Sequence, residues 1–211
     1  MSKLETLPDN TIWQACLLAM VAGYADAVGF LTFNAFAGAM TGNTVLLGIA
    51  LAGRKFADAL QSAGIIAAFL VGVAASAILR RWISLAGLIC LEMTAILVAA
   101  IVTPLPAAHI LALAMGLQNA AMNRFAGNTL NTVFLTGNLQ TLVLDLLQRD
   151  RRESAAGRSG MVLIMQFWLA YLAGVIAGAS AWNWTVHPLL FAVLPLPIVL
   201  LHRSAWRAGT A

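Results

Sequence analysis

The chain has 211 residues, of which 61% are hydrophobic and 9% charged, with a formal net charge of +4. A globular domain in water carries roughly 25% charged residues, so too few polar side chains are present here to cover a water-facing surface. That excludes an ordinary soluble enzyme or binding domain and predicts an all-α membrane protein whose main solvent is the lipid bilayer.

Six apolar runs, at 12–33, 60–79, 83–102, 107–122, 161–181 and 186–201, come close to the twenty or so residues that cross a hydrocarbon core of about 30 Å. Helix is the expectation for each, because lipid offers the backbone no hydrogen-bond partner and a barrel would show alternating polarity. The first run is too long for a signal peptide and lacks a small-x-small cleavage site, so it is expected to be retained. Trp13, Trp82, Trp182, Trp184 and Trp206 fall at predicted span ends, where an indole suits the headgroup layer. Cys16 and Cys90 lie inside apolar runs and suggest neither a disulfide nor a metal framework. The arginines cluster between runs, which reads as membrane topology, and no basic groove with interleaved aromatics suggests nucleic acid.

Two further segments differ from the rest. Residues 36–52 contain Thr41-Gly42-Asn43 and residues 129–147 contain Thr136-Gly137-Asn138, each followed by an apolar helical run. Thr and Asn favour helix N-caps, and Gly permits close backbone approach. A helix from Thr41 to Gly53 would be only about 18 Å long, too short to span, so each segment is expected to be a broken or re-entrant helix. Irregular backbone at that depth needs protein or a water-filled cavity around it.

The two motifs anchor an internal repeat with halves 12–104 and 105–203. Gly23-Tyr24-Ala25-Asp26-Ala27 aligns with Gly116-Leu117-Gln118-Asn119-Ala120, which sets Asp26 opposite Asn119. The small-residue ladder Gly64, Ala68, Gly72, Ser76 aligns with Gln166, Ala170, Gly174, Gly178. Such ladders let membrane helices approach closely, and the Gly72 and Gly174 faces are candidate contacts for a homodimer. Six to eight transmembrane segments are compatible with this pattern. If both Thr-Gly-Asn segments cross, eight spans form two parallel halves with Arg80, Arg81 and Arg124 misplaced; if both re-enter, six spans form inverted halves with Arg54 and Lys55 misplaced. Eight is slightly favoured, and both arrangements leave the C-terminus cytoplasmic.

Ionisable and polar residues inside apolar runs are costly, about 2.5 to 3.5 kcal/mol for a carboxylate at the bilayer centre, and are functional candidates for that reason. Asp26 suits proton coupling or cation contact, or else a structural carboxylate bonded to hydroxyls or helix ends. Glu92 lies in the middle of an apolar run, with Arg124 or a Thr-Gly-Asn break as its expected partner. Arg124 can equally snorkel to the interface. Asp145 and Arg149 form an i,i+4 pair at a helix end, read as interfacial. The N-termini at Thr41-Gly42-Asn43 and Thr136-Gly137-Asn138 expose donors that suit an anionic or carbonyl group, and Gln118 and Asn119 add neutral groups to orient a ligand. Simple interhelical bonding by the same residues is the bland alternative. His109, His187 and His202 stand at segment ends without a second ligand, so no metal site is expected, and no nucleophile-elbow, zincin or Walker string implies an enzyme or a cofactor.

The strings Gly23-Tyr24-Ala25-Asp26-Ala27-Val28-Gly29-Phe30-Leu31, Met40-Thr41-Gly42-Asn43-Thr44-Val45-Leu46-Leu47-Gly48, Leu91-Glu92 and Ala114-Met115-Gly116-Leu117-Gln118-Asn119-Ala120 resemble the YoaK-like family of bacterial membrane proteins of unknown function. The resemblance runs from the first span to the last. The second motif reads Thr136-Gly137-Asn138 where Thr-Gly-Thr is common in that family, which makes the two halves of this chain more alike. It implies a bacterial inner-membrane location and no substrate. Duplicated halves with paired breaks are common in secondary transporters. The expectation is therefore a small transporter or permease for a polar small molecule or ion, with Asp26 or Glu92 responding to protons. A non-transporting scaffold or sensor packed against a partner is the alternative, and an intramembrane enzyme comes third.

Overall fold

The computed structural model describes residues 9–102, 104–122 and 155–201. Those residues are helical, with no strand among them: α1 Asp9–Phe33, α2 Met40–Ala52, α3 Phe56–Leu79, α4 Leu85–Ile101, α5 Pro104–Met122, α6 Ala155–Trp184, α7 Leu189–Ala192 and α8 Pro195–Leu201. Three stretches are long and apolar enough to cross a membrane: Ile12–Phe33, Phe56–Leu79 and Ile164–Trp184. Burial separates their roles. Of α1's apolar window 56% is buried, against 28% in α3 and 22% in α6, so α1 is the central helix and the other two face outward. Leu60, Leu70, Val71 and Ile78 on α3, with Leu169 and Ile176 on α6, are exposed apolar side chains, as lipid contact requires.

The last apolar run departs from expectation. Residues 186–201 are not one helix: α7 ends at Ala192, the chain turns through Val193 and Leu194, and Pro195 opens α8. A proline has no N–H to give and its ring clashes with the preceding turn, so Pro195 can start a helix but cannot continue one. The short helix predicted after the first Thr-Gly-Asn does form, with Gly53 as its C-cap. Its 13 residues give a length of about 20 Å, less than the hydrocarbon core.

Contacts between helices fix their directions. Gln118 donates to the Leu18 carbonyl, and Gly29 lies beside Leu111, so α1 and α5 run in opposite directions. Gly64 lies against His109, and Gly72 against Gly116, so α3 runs with α5. Gly174 sits on Met20 and Gly178 on Tyr24, so α6 runs with α1. Gln61 donates to the Phe33 carbonyl at 3.0 Å, which brings the start of α3 to the end of α1.

Two of these crossings are reciprocal. Gly23 of α1 meets the Tyr171 carbonyl of α6, while Gly174 of α6 meets the Met20 carbonyl of α1. Likewise Gly116 of α5 meets the Phe69 carbonyl of α3, and Gly72 of α3 meets the Leu113 carbonyl of α5. A Cβ at any of the four would collide with backbone, so only glycine allows the approach. The expectation that the Gly72 and Gly174 faces are free for a homodimer is thereby corrected: both are buried inside this chain, because each ladder is covered by its own neighbouring helix.

Candidate functional site

Asp26 is the best-supported polar residue in the helical interior. At Asn34, with a positive φ of 53°, the chain leaves α1 and doubles back. Its amides then reach Asp26, about two turns before the end of α1. Asp26 Oδ1 accepts from the N–H groups of Gly38 at 2.6 Å and Ala39 at 3.2 Å, and Oδ2 accepts from the Tyr171 hydroxyl at 2.6 Å. The side chain is 4% exposed. Ala39, the N-cap of α2, offers no side-chain cap. A carboxylate borrowed from α1 instead holds the two amides that lead into the helix, placing negative charge at the positive end of the α2 dipole.

Asn43 holds the same turn from the other side. Its Oδ1 accepts from the Phe36 N–H at 2.9 Å, and its Nδ2 donates to the Phe36 carbonyl at 2.8 Å, so both edges of the amide are used on one residue. Phe36 stacks on Phe30 with centroids 4.8 Å apart, and a Cβ on Gly42 would come within 2.6 Å of the Phe36 ring. Gly42 is therefore where the loop folds onto its own helix. Thr41 is exposed and caps nothing.

The start of α2 is expected to present donors to an anionic or carbonyl group. The Gly38 and Ala39 amides that lead into it are occupied by Asp26, and the Asn43 side chain by Phe36. Asp26, Gly42 and Asn43 thus form one structural unit that ties α1, α2 and α6 together.

Glu92 is different. It lies on the buried stripe of α4, between Leu88, Ile89 and Ile96, and is 1% exposed. Its Oε1 has no hydrogen-bond partner among the described residues. The same holds for Ser76 Oγ on α3 and for Gln118 Oε1 and Asn119 Oδ1 on α5, all in buried side chains. Leaving a buried polar group unmade costs about 1–3 kcal/mol, more if charged, so these four oxygens on α3, α4 and α5 are each held at a cost. Asp26 and Glu92 are not hydrogen-bonded to each other among the described residues, so the two carboxylates do different work. Arg124, the expected partner of Glu92, lies outside the described residues, as do Thr136, Gly137 and Asn138.

Two of the cavities among the described residues open to the exterior. One, of about 580 Å³, is apolar and lies between α1, α6 and the α7–α8 break, lined by Met20, Tyr24, Trp184, Phe191 and Pro195. The other, of about 610 Å³, lies at the end of α1 beside Asn34, Gln61 and Pro104. Neither is lined by Asp26, Glu92, Gln118 or Asn119. Among the described residues no group of three or more His, Cys, Asp or Glu is placed to hold a metal.

Sequence reasoning missed Tyr171 and Tyr24. Tyr24 donates to the Pro188 carbonyl at 2.7 Å and ties α1 to the start of α7. Each is a hydroxyl inside an apolar run, the same signal that singled out Asp26, and a buried hydroxyl needs a partner.

No curated protein and no solved structure matches the sequence. The chain does match a family of proteins of unknown function, DUF1275, over residues 14–202, almost its whole length, and it belongs to that family.

Proposed function

We propose that the protein is a small secondary transporter or permease of the bacterial inner membrane, which moves a polar small molecule or ion and uses Glu92 as the group that exchanges its partner during the cycle. The observation that carries this reading is the Glu92 carboxyl, fully enclosed in an apolar helix and lacking a partner at Oε1. A carboxyl kept only for packing would be replaced by an apolar side chain at lower cost. One that must meet a ligand or proton has to keep a free oxygen.

The helix arrangement supports an inverted duplication. Shifting α1 onto α5 carries Met20 to Leu113, Gly23 to Gly116 and Asp26 to Asn119; shifting α3 onto α6 carries Phe69 to Tyr171, Gly72 to Gly174 and Trp82 to Trp184. Under that one correspondence the two reciprocal glycine crossings become the same crossing. The burial pattern of residues 88–100 repeats at 188–200, so that α4 corresponds to α7 with α8, and Glu92 to Ala192. Corresponding helices α1 and α5 run in opposite directions, the relation expected of inverted repeats about an axis in the membrane plane.

Six spans follow from this arrangement, with α2 re-entrant. The chain reaches the end of α1, dips to the level of Asp26, and returns through α2 to the start of α3, which Gln61 holds beside Phe33. The helix directions favour six inverted spans over the eight parallel ones expected from charge. Arg80 and Arg81 then share a face with the end of α8, whose following residues include Arg203 and Arg207, and that face is cytoplasmic by the positive-inside rule. Arg54 and Lys55 lie on the opposite face. The resemblance to YoaK-like proteins is in keeping with this location.

Uptake by purified protein in liposomes, measured across panels of amino acids, sugars, organic acids, amines and inorganic ions, tests the reading. Saturable uptake of at least one class is expected, and none across the panels removes it.

A further inference from the structure

Granting the transport reading, on which this step rests, we infer that the polar interior binds a small monovalent cation, an alkali ion or a protonated amine, with Glu92 as its counter-charge.

Consider which buried polar atoms remain free. Many donors are engaged: the Gly38 and Ala39 amides and the Tyr171 hydroxyl on Asp26, the Asn43 amide on Phe36, the Tyr24 hydroxyl on Pro188 and the Gln118 amide nitrogen on Leu18. Oxygens make up most of the rest. Glu92 Oε1, Gln118 Oε1, Asn119 Oδ1 and Ser76 Oγ have no partner among the described residues, and the first three accept but do not donate when the carboxyl is ionised. An anion would find only the serine hydroxyl and the Asn119 amide as donors and would face the Glu92 carboxylate, whereas a cation would find four oxygens.

Placement supports the grouping. Glu92 and Ser76 lie on the buried stripes of α4 and α3, the two helices that pack on α5, and α5 carries Gln118 and Asn119. Ser76 is one turn beyond Gly72, which touches Gly116, while Gln118 two residues further on turns its amide to Leu18 of α1. The charge balance points the same way. The three long apolar stretches, α4 and α5 carry no Lys or Arg; Arg158 lies in the first turn of α6 and Arg80 follows the end of α3. The Asp26 charge is met by a helix end and a hydroxyl, and that of Glu92 by nothing in these helices. One carboxylate with neutral oxygens suits a hard monovalent ion; a transition-metal site would need nitrogen or sulfur ligands that these residues do not supply.

The full chain, purified in detergent, is unfolded thermally in sodium, potassium or methylammonium chloride against N-methylglucamine chloride at equal ionic strength. A ligand that binds only the folded state raises the midpoint. At least one small cation is expected to raise it by several degrees, Glu92→Gln to abolish the rise, Ser76→Ala to reduce it, and Gly48→Ala, at an open surface position, to leave it unchanged. No cation-specific rise in the wild type, or a full rise in Glu92→Gln, overturns the inference. If Glu92→Gln does not fold, an undiminished rise in both Ser76→Ala and Asn119→Leu overturns it equally. A pH-dependent midpoint with no cation dependence also overturns it, because the carboxyl would then bind a proton alone. A cation-specific rise without flux in liposomes keeps this site and removes the transport reading, and flux of a neutral or anionic solute without the rise does the reverse.

Discussion

Asp26 on α1 and Tyr171 on α6 stand 145 positions apart in sequence and share a 2.6 Å hydrogen bond, phenol to carboxylate. It joins the turn that leads into α2 to α6. In the proposed correspondence the same places in the second half are held by Asn119 and Phe69, a neutral amide and a ring without a hydroxyl.

That pairing predicts coupled losses. Tyr171→Phe leaves one Asp26 oxygen without its donor and is expected to destabilise by about 1–3 kcal/mol. Asp26→Ala is expected to cost more, because the Gly38 and Ala39 amides and the Tyr171 hydroxyl all lose their acceptor. The double variant should lose less than the sum, as contacting partners do in a thermodynamic cycle. Thermal or denaturant unfolding in detergent measures all three, and strict additivity contradicts the bond.

Asn43 clamps Phe36 through both edges of its amide. Asn43→Asp keeps the acceptor for the Phe36 N–H but sets a second oxygen against the Phe36 carbonyl. Asn43→Ala loses both bonds, for about 1–3 kcal/mol. Protease cleavage in the 34–39 turn is expected to rise in both variants relative to Thr41→Ala, whose side chain is exposed.

The glycine crossings predict a sharp contrast. Gly72→Ala, Gly116→Ala and Gly174→Ala each drive a methyl into a facing backbone, and loss of folded, detergent-extractable protein is expected. Gly48→Ala meets nothing within 4 Å and should stabilise α2 by up to about 1 kcal/mol through helix propensity. Size-exclusion profiles of the four proteins check this.

Topology is open to labelling. In a background lacking Cys16 and Cys90, Lys55→Cys is expected to react with an impermeant maleimide from outside the cell and Arg81→Cys only from inside. Reaction of both from one side would contradict the six-span, re-entrant arrangement.

Much of this architecture was legible in the chain. Solvent preference is a property of composition, so the apolar runs and the short helix ending at Gly53 could be read directly. The small-residue ladders were visible too. Their coverings were not, because a ladder shows that something approaches closely without showing what, and Gly72 and Gly174 turned out to be covered from within. Thr41-Gly42-Asn43 falls in the first turn of α2, yet the amides leading into that helix are held by Asp26, since the turn at Asn34 returns the chain to a place that local propensity does not encode. Asp26 and Glu92 looked alike as buried carboxyls. Only long-range partners distinguish them, and one has three while the other lacks a partner at Oε1.

The most direct test compares wild type and Glu92→Gln in proteoliposomes, with uptake of whichever solute the panels identify recorded with and without an imposed pH gradient. Wild-type uptake that responds to the gradient, and a variant that folds but has lost most of its flux and all of that response, is the predicted result. A folded Glu92→Gln protein that keeps wild-type flux and the same response would show that this carboxyl takes no part in transport.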